Sequence, residues 1–264
     1  MKLRAIATLL ACFAGVGGLG CLGDMEQPGE EGELEARATG LYPELKTVVP
    51  LHLTWNKSNG LEEIRFSNGL ANTGAGDLRL RPENHDGVTD AHQEILDADR
   101  NIVVDQVVST FFFHPAHNHW HIDNVALFEI RQGTPTGPLY GTGKKITFCM
   151  IDWYKLVGNA NTKERTYWDC ATSFQGISPG WVDQYHQSTV GQSLDMTGAP
   201  AGHYYIVSTV NPLCTFLEAD CTNNTAWQGF DLSRTGNGNS SIVVTAGDHN
   251  PCSNGLCGDN APNR

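Results

Sequence analysis

The stretch NIVVDQVVSTFFF, Asn101 to Phe113, is rich in β-branched and aromatic residues and holds no glycine or proline. Such a run, too polar to cross a membrane and without helical spacing, reads as a strand. Similar short alternating or apolar runs recur on both sides, at Val48–Trp55, Glu63–Ser67, Asn124–Ile130, Lys145–Cys149, His203–Val210 and Ile242–Val244. Turn formers split them: Ser58-Asn59-Gly60, Asn72-Thr73-Gly74 and Gly137-Pro138. Long helical periodicity is missing. The expected class is all-β: a single β-sandwich-like domain with long loops and little helix, carried by residues 41–247.

Composition agrees with one globular body. The 264 residues hold 29 Gly and 12 Pro, 40% are hydrophobic and 17% charged, and the formal charge is −12. An acidic chain without basic blocks argues against nucleic acid as a partner, because phosphate contacts need clustered Lys and Arg. No apolar stretch long enough to span a bilayer follows the N-terminus.

The ends read differently. Lys2 and Arg4 precede an apolar run from Ala5 to Gly20, so residues 1–20 have the composition of an export signal. Leu19-Gly20-Cys21 also resembles a lipoprotein cleavage site, which would make Cys21 a lipid anchor. Secreted and envelope-anchored forms are both expected outcomes. Residues 21–40 carry Asp24, Glu26, Glu30, Glu31, Glu33 and Glu35 and read as a solvated acidic tether. Residues 248–264 read as a polar tail.

Export gives the cysteines meaning. Beyond Cys12 and Cys21, six remain, an even number that suggests disulfides. Cys214 with Cys221 and Cys252 with Cys257 would close small loops, leaving Cys149 with Cys170. A zinc-cysteine site is the weaker reading, since no Cys-x-x-Cys pair occurs.

The strand read at Asn101–Phe113 runs into His114-Pro-Ala-His117-Asn-His119-Trp-His121, four of the ten histidines in eight residues. His117, His119 and His121 alternate, so on an extended strand their imidazoles share one face. A straight strand spreads them over about 13 Å. One metal with bonds of about 2 Å requires a kink or bulge. Imidazole suits copper and zinc, and the residues alone do not choose between them. His114 is placed to support the three.

In order along the chain stand Tyr42-Pro43-Glu44-Leu45, His117-Asn-His119-Trp-His121, Lys144-Lys145-Ile-Thr-Phe-Cys149, Cys170-Ala-Thr-Ser-Phe-Gln-Gly-Ile-Ser-Pro-Gly180 with Asp183-Gln-Tyr185, and Val210-Asn-Pro212 with Glu218-Ala-Asp220-Cys-Thr-Asn223-Asn224. Together these blocks resemble the lysyl oxidase catalytic domain over most of the body. The resemblance implies a copper amine oxidase in which His117, His119 and His121 bind copper. It also implies that Lys145 and Tyr185 cross-link into lysine tyrosylquinone. Lys144 is the nearest competitor of Lys145.

In such an enzyme the neutral Lys amine adds to an oxidised Tyr ring. The resulting quinone converts primary amines, among them peptidyl lysine, to aldehydes, with oxygen consumed and ammonia and hydrogen peroxide released. Asp123, two residues beyond His121 and on the same strand face, is the expected base, or else a group orienting His121.

The resemblance further implies a Ca²⁺ site at Glu218, Asp220, Asn223 and Asn224, joined by Glu44 and the Leu45 carbonyl, and oxygen-rich side chains at this density suit that ion. Two departures stand out. Glu44 replaces the family's usual Asp, and Ala116 stands where animal members carry a Cys, which leaves Cys170 to pair with Cys149. The competing readings are a non-enzymatic copper-binding envelope protein on the same fold and, more remotely, a zinc hydrolase using the same histidines.

Overall fold

The computed structural model describes residues 32, 38–85, 88–115, 117–143, 146–156, 158–170, 174–236 and 239–248. The expected export segment, the Cys21 anchor, nearly all of the tether, the Cys252–Cys257 pair, Lys144 and Lys145 lie outside these residues.

Among the described residues, fifteen strands follow one another. The hairpin β1 (Leu45–Ser58) and β2 (Leu61–Asn72) comes first. A meander of β3 (Leu78–His85), β4 (Val88–Leu96) and β5 (Ile102–His114) follows, closed by short β6 (His119–Ile122). β7 (Ala126–Gln132) and β8 (Leu139–Thr142) form another hairpin. Four short strands come next: β9 (Tyr154–Lys155), β10 (Gln175–Ile177), β11 (Trp181–Tyr185) and β12 (Ser193–Asp195). β13 (Gly202–Val210), β14 (Thr225–Arg234) and β15 (Ser240–Gly247) complete the order.

The protein is therefore all-β, and among the described residues its strands make three sheets with antiparallel pairing. One runs β1-β2-β11-β9 with β12 also on β2, the second β10-β3-β4-β5-β6, and the third β15-β14-β13-β7-β8. β1 lies against β13, β14 and β15, so the first and third sheets pack face to face. The second joins them where β10 neighbours β11. Among the described residues no helix is long and apolar enough to cross a membrane.

Local chemistry explains the connections. Asn59 and Gly60 have φ of 51° and 83°, the left-handed pair that a two-residue hairpin turn requires between β1 and β2. Gly74 sits so close to the start of the body that an added Cβ would lie 2.4 Å from the Glu44 nitrogen. The core between the sheets includes Phe66, Phe128, Tyr204 and Phe230, all essentially unexposed. Phe66 meets Phe128 edge-on at 5.0 Å, Phe128 meets Phe148 at 6.1 Å, and Phe148 meets Tyr185 at 4.7 Å. This line of rings leads from the core to Tyr185.

One expected strand differs. Of Lys145–Cys149, the described residues 146–149 join no ladder beyond an isolated bridge between Phe148 and Ile122. The segment crosses between sheets, and its backbone bonds go to loop and strand-end groups. Two disulfides form among the described residues, Cys149–Cys170 and Cys214–Cys221, as expected.

Candidate active site

The histidines lie on the hairpin that joins β5 to β6. The ladder ends with His114 opposite His119, and the chain turns between them. The His114 carbonyl accepts hydrogen bonds from the N–H groups of both His117 (3.0 Å) and Asn118 (2.9 Å). Asn118 takes φ of 57°, a left-handed conformation that Asn tolerates better than most residues. The required kink is therefore a tight turn, and His117 sits in the loop and not on the strand. It folds back, and one ligand nitrogen from each of the three rings falls within 4.8 Å of the others.

His121 is 3% exposed, and its Nε2 lies 2.9 Å from His119 Nε2 and 3.3 Å from His117 Nδ1. Two donors bound about 2 Å from one ion at angles of about 90–110° stand about this far apart. Three imidazoles with no carboxylate among them suit copper or zinc, so the residues present fit a copper ion. Among the described residues, no other three His, Cys, Asp or Glu side chains bring one ligand atom each this close together.

The neighbours fix the rings. His114 stacks on His117 with centroids 4.1 Å apart and planes 15° from parallel, and its buried Nδ1 has no hydrogen-bond partner. Phe112 sets its ring against His121 at 5.7 Å. The second nitrogen of His121, Nδ1, is 3.2 Å from Thr147 Oγ1. A hydrogen bond there selects which nitrogen carries the proton and frees Nε2 as a ligand.

Thr147 belongs to the segment 146–149 that stitches the sheets together. Ile146 accepts from the Val125 N–H, and Phe148 exchanges two backbone bonds with Ile122, the residue after His121. The Cys149 carbonyl then accepts the hydrogen bond of the Tyr185 hydroxyl. Four residues thus connect the histidine cluster at one end with the tyrosine at the other. Lys145, adjacent to Ile146, lies outside the described residues.

Tyr185 ends β11, partly buried against the core. Burial pushes its phenol well above the ordinary range, and the negative charge of Asp183 adds to this, while the bond to Cys149 opposes it. Asp183 is 2% exposed and shares the strand face of Tyr185. Asp152 is fully buried and accepts bonds from the N–H groups of Thr166, Tyr167 and Ser178 and from the Ser178 hydroxyl, and the N–H of the next residue, Trp153, donates to Val182 of β11. Thr147, Asp152 and Asp183 were not singled out from the sequence. The alternation of Asp183 with Tyr185 was the one available signal.

Asp123 follows the histidine strand, but its carboxylate accepts from the N–H and the amide of Asn124, at 2.9 and 3.2 Å. The expected calcium residues come together between the start of β1 and the loop before β14. Glu218 accepts from Leu45 N–H, Asn211 and Asn224, and Glu44 accepts from Asp220 N–H and Asn223.

The lysyl oxidase family model matches residues 91–235, more than half of the chain. The chain belongs to the lysyl oxidase family. Human lysyl oxidase homolog 1 is 32% identical over 116 residues, which is 44% of this chain and 19% of that protein. Protein-lysine 6-oxidase from Sus scrofa is 27% identical over 113 residues, 42% of this chain and 43% of that protein. The human protein-lysine 6-oxidase is 28% identical over the same length, 26% of its own. The chain thus aligns with less than half the length of each of these relatives. The lysyl oxidase match spans the three histidines, Lys145, Tyr185 and Glu218–Asn224, and begins after Glu44 and Leu45.

Proposed function

We propose that this chain is an exported copper amine oxidase that converts primary amines, peptidyl lysine among them, to aldehydes with release of ammonia and hydrogen peroxide. The observation that carries the reading is the placement of residues 146–149, with Thr147 on the copper-type histidine cluster and Cys149 on Tyr185. Family membership supports the same chemistry.

His117, His119 and His121 would hold the copper, and Lys145 and Tyr185 would form the quinone. When present, that quinone supplies the electrophilic carbonyl and the electron sink that no ordinary side chain offers. The residues around it seat the tyrosine ring, exclude water and manage protons. Phe148 packs edge-on against the Tyr185 ring, and the Cys149 carbonyl fixes the direction of its hydroxyl. Burial and the charge of Asp183 push that hydroxyl above the ordinary phenol range. Asp123 is the proposed base, its carboxylate held in place by Asn124. The chain's acidity favours amine substrates by steering, an effect screened within about 8 Å at physiological salt.

A calcium ion is proposed between the start of β1 and the loop before β14, held by Glu44, the Leu45 carbonyl, Glu218, Asp220, Asn223 and Asn224. Asn224 Oδ1 supports it, since this buried acceptor lacks a hydrogen-bond partner.

The test is peptide mass mapping of copper-loaded, aerated protein for a covalent Lys145–Tyr185 species, alongside peroxide release from a primary amine. Cross-linked peptide with peroxide is the expected result. Both residues unmodified in fully copper-loaded protein would overturn the enzyme reading and leave a copper-binding protein on this fold.

A further inference from the structure

Lys46 stands two residues after Glu44, and side chains at that spacing in extended chain share a face. Its ammonium pairs with Glu44 Oε1, an oxygen that also accepts from the Asn223 amide at 2.9 Å. The pair is well sheltered, with side chains only 20% and 17% exposed. The same positive charge bears on Asp220.

The remaining carboxylate oxygens around it are engaged as well. Glu44 Oε2 accepts from Asp220 N–H, Glu218 Oε2 from Leu45 N–H, and Glu218 Oε1 from the Asn211 and Asn224 amides. Asp220 turns one oxygen onto Thr222 and the other onto Asn223. One acceptor is left over. Asn224 is 2% exposed, its amide nitrogen faces Glu218, and its Oδ1 has no hydrogen-bond partner. A cluster with three carboxylates and an orphaned buried carbonyl has the donor chemistry of a hard cation, yet one of its best oxygens is already taken by an ammonium.

We propose that Lys46 is a built-in competitor for the calcium ion. The ammonium and the Asn223 amide hold Glu44 in the ion-free arrangement. Calcium, which takes six to eight oxygens, binds by displacing both from Glu44 while Asn224 Oδ1 turns from orphan to ligand. The exchange loosens the site without dismantling it. The junction between the start of β1 and the loop 211–224 stays closed in either state, because Thr47 accepts from the Val210 N–H and donates to the Asn224 carbonyl. The competition places the affinity in the weak range of extracellular modules, roughly 10⁻⁴–10⁻³ M. This inference rests on the calcium reading given above.

The experiment is calcium titration of the full chain by calorimetry and by melting temperature, for the wild type, Lys46→Gln, Lys46→Met and Lys46→Arg. The expected result is calcium affinity at least tenfold tighter in Lys46→Gln and Lys46→Met, with Lys46→Arg close to wild type because the charge is kept. The melting temperatures of all four in chelator show that the fold is intact. Equal or weaker calcium binding by both neutral variants would overturn the competitor role alone. Absence of calcium binding by every form up to about 10 mM, well above the weak range, would overturn the calcium site with it. Neither outcome touches the amine oxidase reading, which the Lys145–Tyr185 cross-link decides.

Discussion

Replacing Tyr185 with Phe isolates one oxygen atom, and its consequences can be worked out from the surroundings. The aromatic ring stays, so the edge-on contact with Phe148 at 4.7 Å survives and no cavity opens. What is lost is the donor to the Cys149 carbonyl, on a residue 1% exposed. A net hydrogen bond contributes about 0.5–1.5 kcal/mol, and leaving a buried acceptor unpaired moves the cost toward the upper end. The expected loss is about 1 kcal/mol, or roughly 2–4 °C in melting temperature for a domain of this size. Copper uptake should be unchanged, because the three histidine donors lie on β6 and its preceding turn. Peroxide release should vanish, because a ring without its oxygen cannot become the quinone. The assay combines melting temperature, metal analysis and peroxide detection on one preparation. Peroxide at the wild-type rate from Tyr185→Phe would refute the assignment of Tyr185. A destabilisation above about 4 kcal/mol would refute the view that packing, and not the hydroxyl, seats the ring.

Two further outcomes test the supports of the site and of the fold. Thr147→Val keeps the shape but removes the oxygen 3.2 Å from His121 Nδ1, so copper affinity should fall about tenfold in a competition titration; unchanged affinity would remove Thr147 from the site. Glu62 is buried against Arg234 Nη1 at 2.7 Å, and the hydrogen bond from Arg234 holds its carboxyl below the ordinary value of 4.5. A depressed carboxylate contributes stability that is present above that value and lost as pH falls through the lower folded one. Glu62→Gln should therefore lose about 1–3 kcal/mol at pH 7 by urea denaturation, with the gap closing in acid below about pH 4.5; a gap that does not change with pH would refute the pairing.

The class and many of the strands were legible because alternation is a local property. Asn101–Phe113 became β5, His203–Val210 became β13, and Asn59-Gly60 became the turn that its residue types demand. The meander was only partly legible. Pro82 inside β3 masks that strand, since proline usually marks an edge or a break. The histidines could be read as a metal cluster, whereas their geometry could not. Alternation alone implies a spread of about 13 Å, and it takes the left-handed Asn118 in the hairpin to return His117 to its partners. Asp152 was invisible for a different reason. Its partners at 166, 167 and 178 meet it only after the loops fold, and a buried carboxylate looks in sequence like any surface acid. The oxygen-rich residues of the proposed calcium site are legible in sequence and Lys46 is not, because a lysine among acids looks like a solvated charge until the fold partly buries the pair.

The two halves of the candidate site belong to different sheets, the histidines to the one ending in β6 and Tyr185 to the one containing β11. Among the described residues no ladder connects those strands directly, so their relative position is set by what crosses between them. The crossing segment 146–149 has a single bridge to Ile122, one bond to Val125 and the Cys149–Cys170 disulfide. The disulfide partner returns to the histidine side, because the Cys170 carbonyl accepts from the Trp120 N–H, between His119 and His121. Tyrosine and histidines are therefore tied twice, through Thr147 and through Cys170, by backbone that is outside any sheet. A strand in a ladder could not shift to let a lysine amine reach a tyrosine ring without breaking several hydrogen bonds together. A tethered crossing segment yields locally while its ends stay fixed. The proposed covalent lysine–tyrosine cofactor would place that demand on its scaffold, and residues 146–149, outside any ladder, have the construction to meet it.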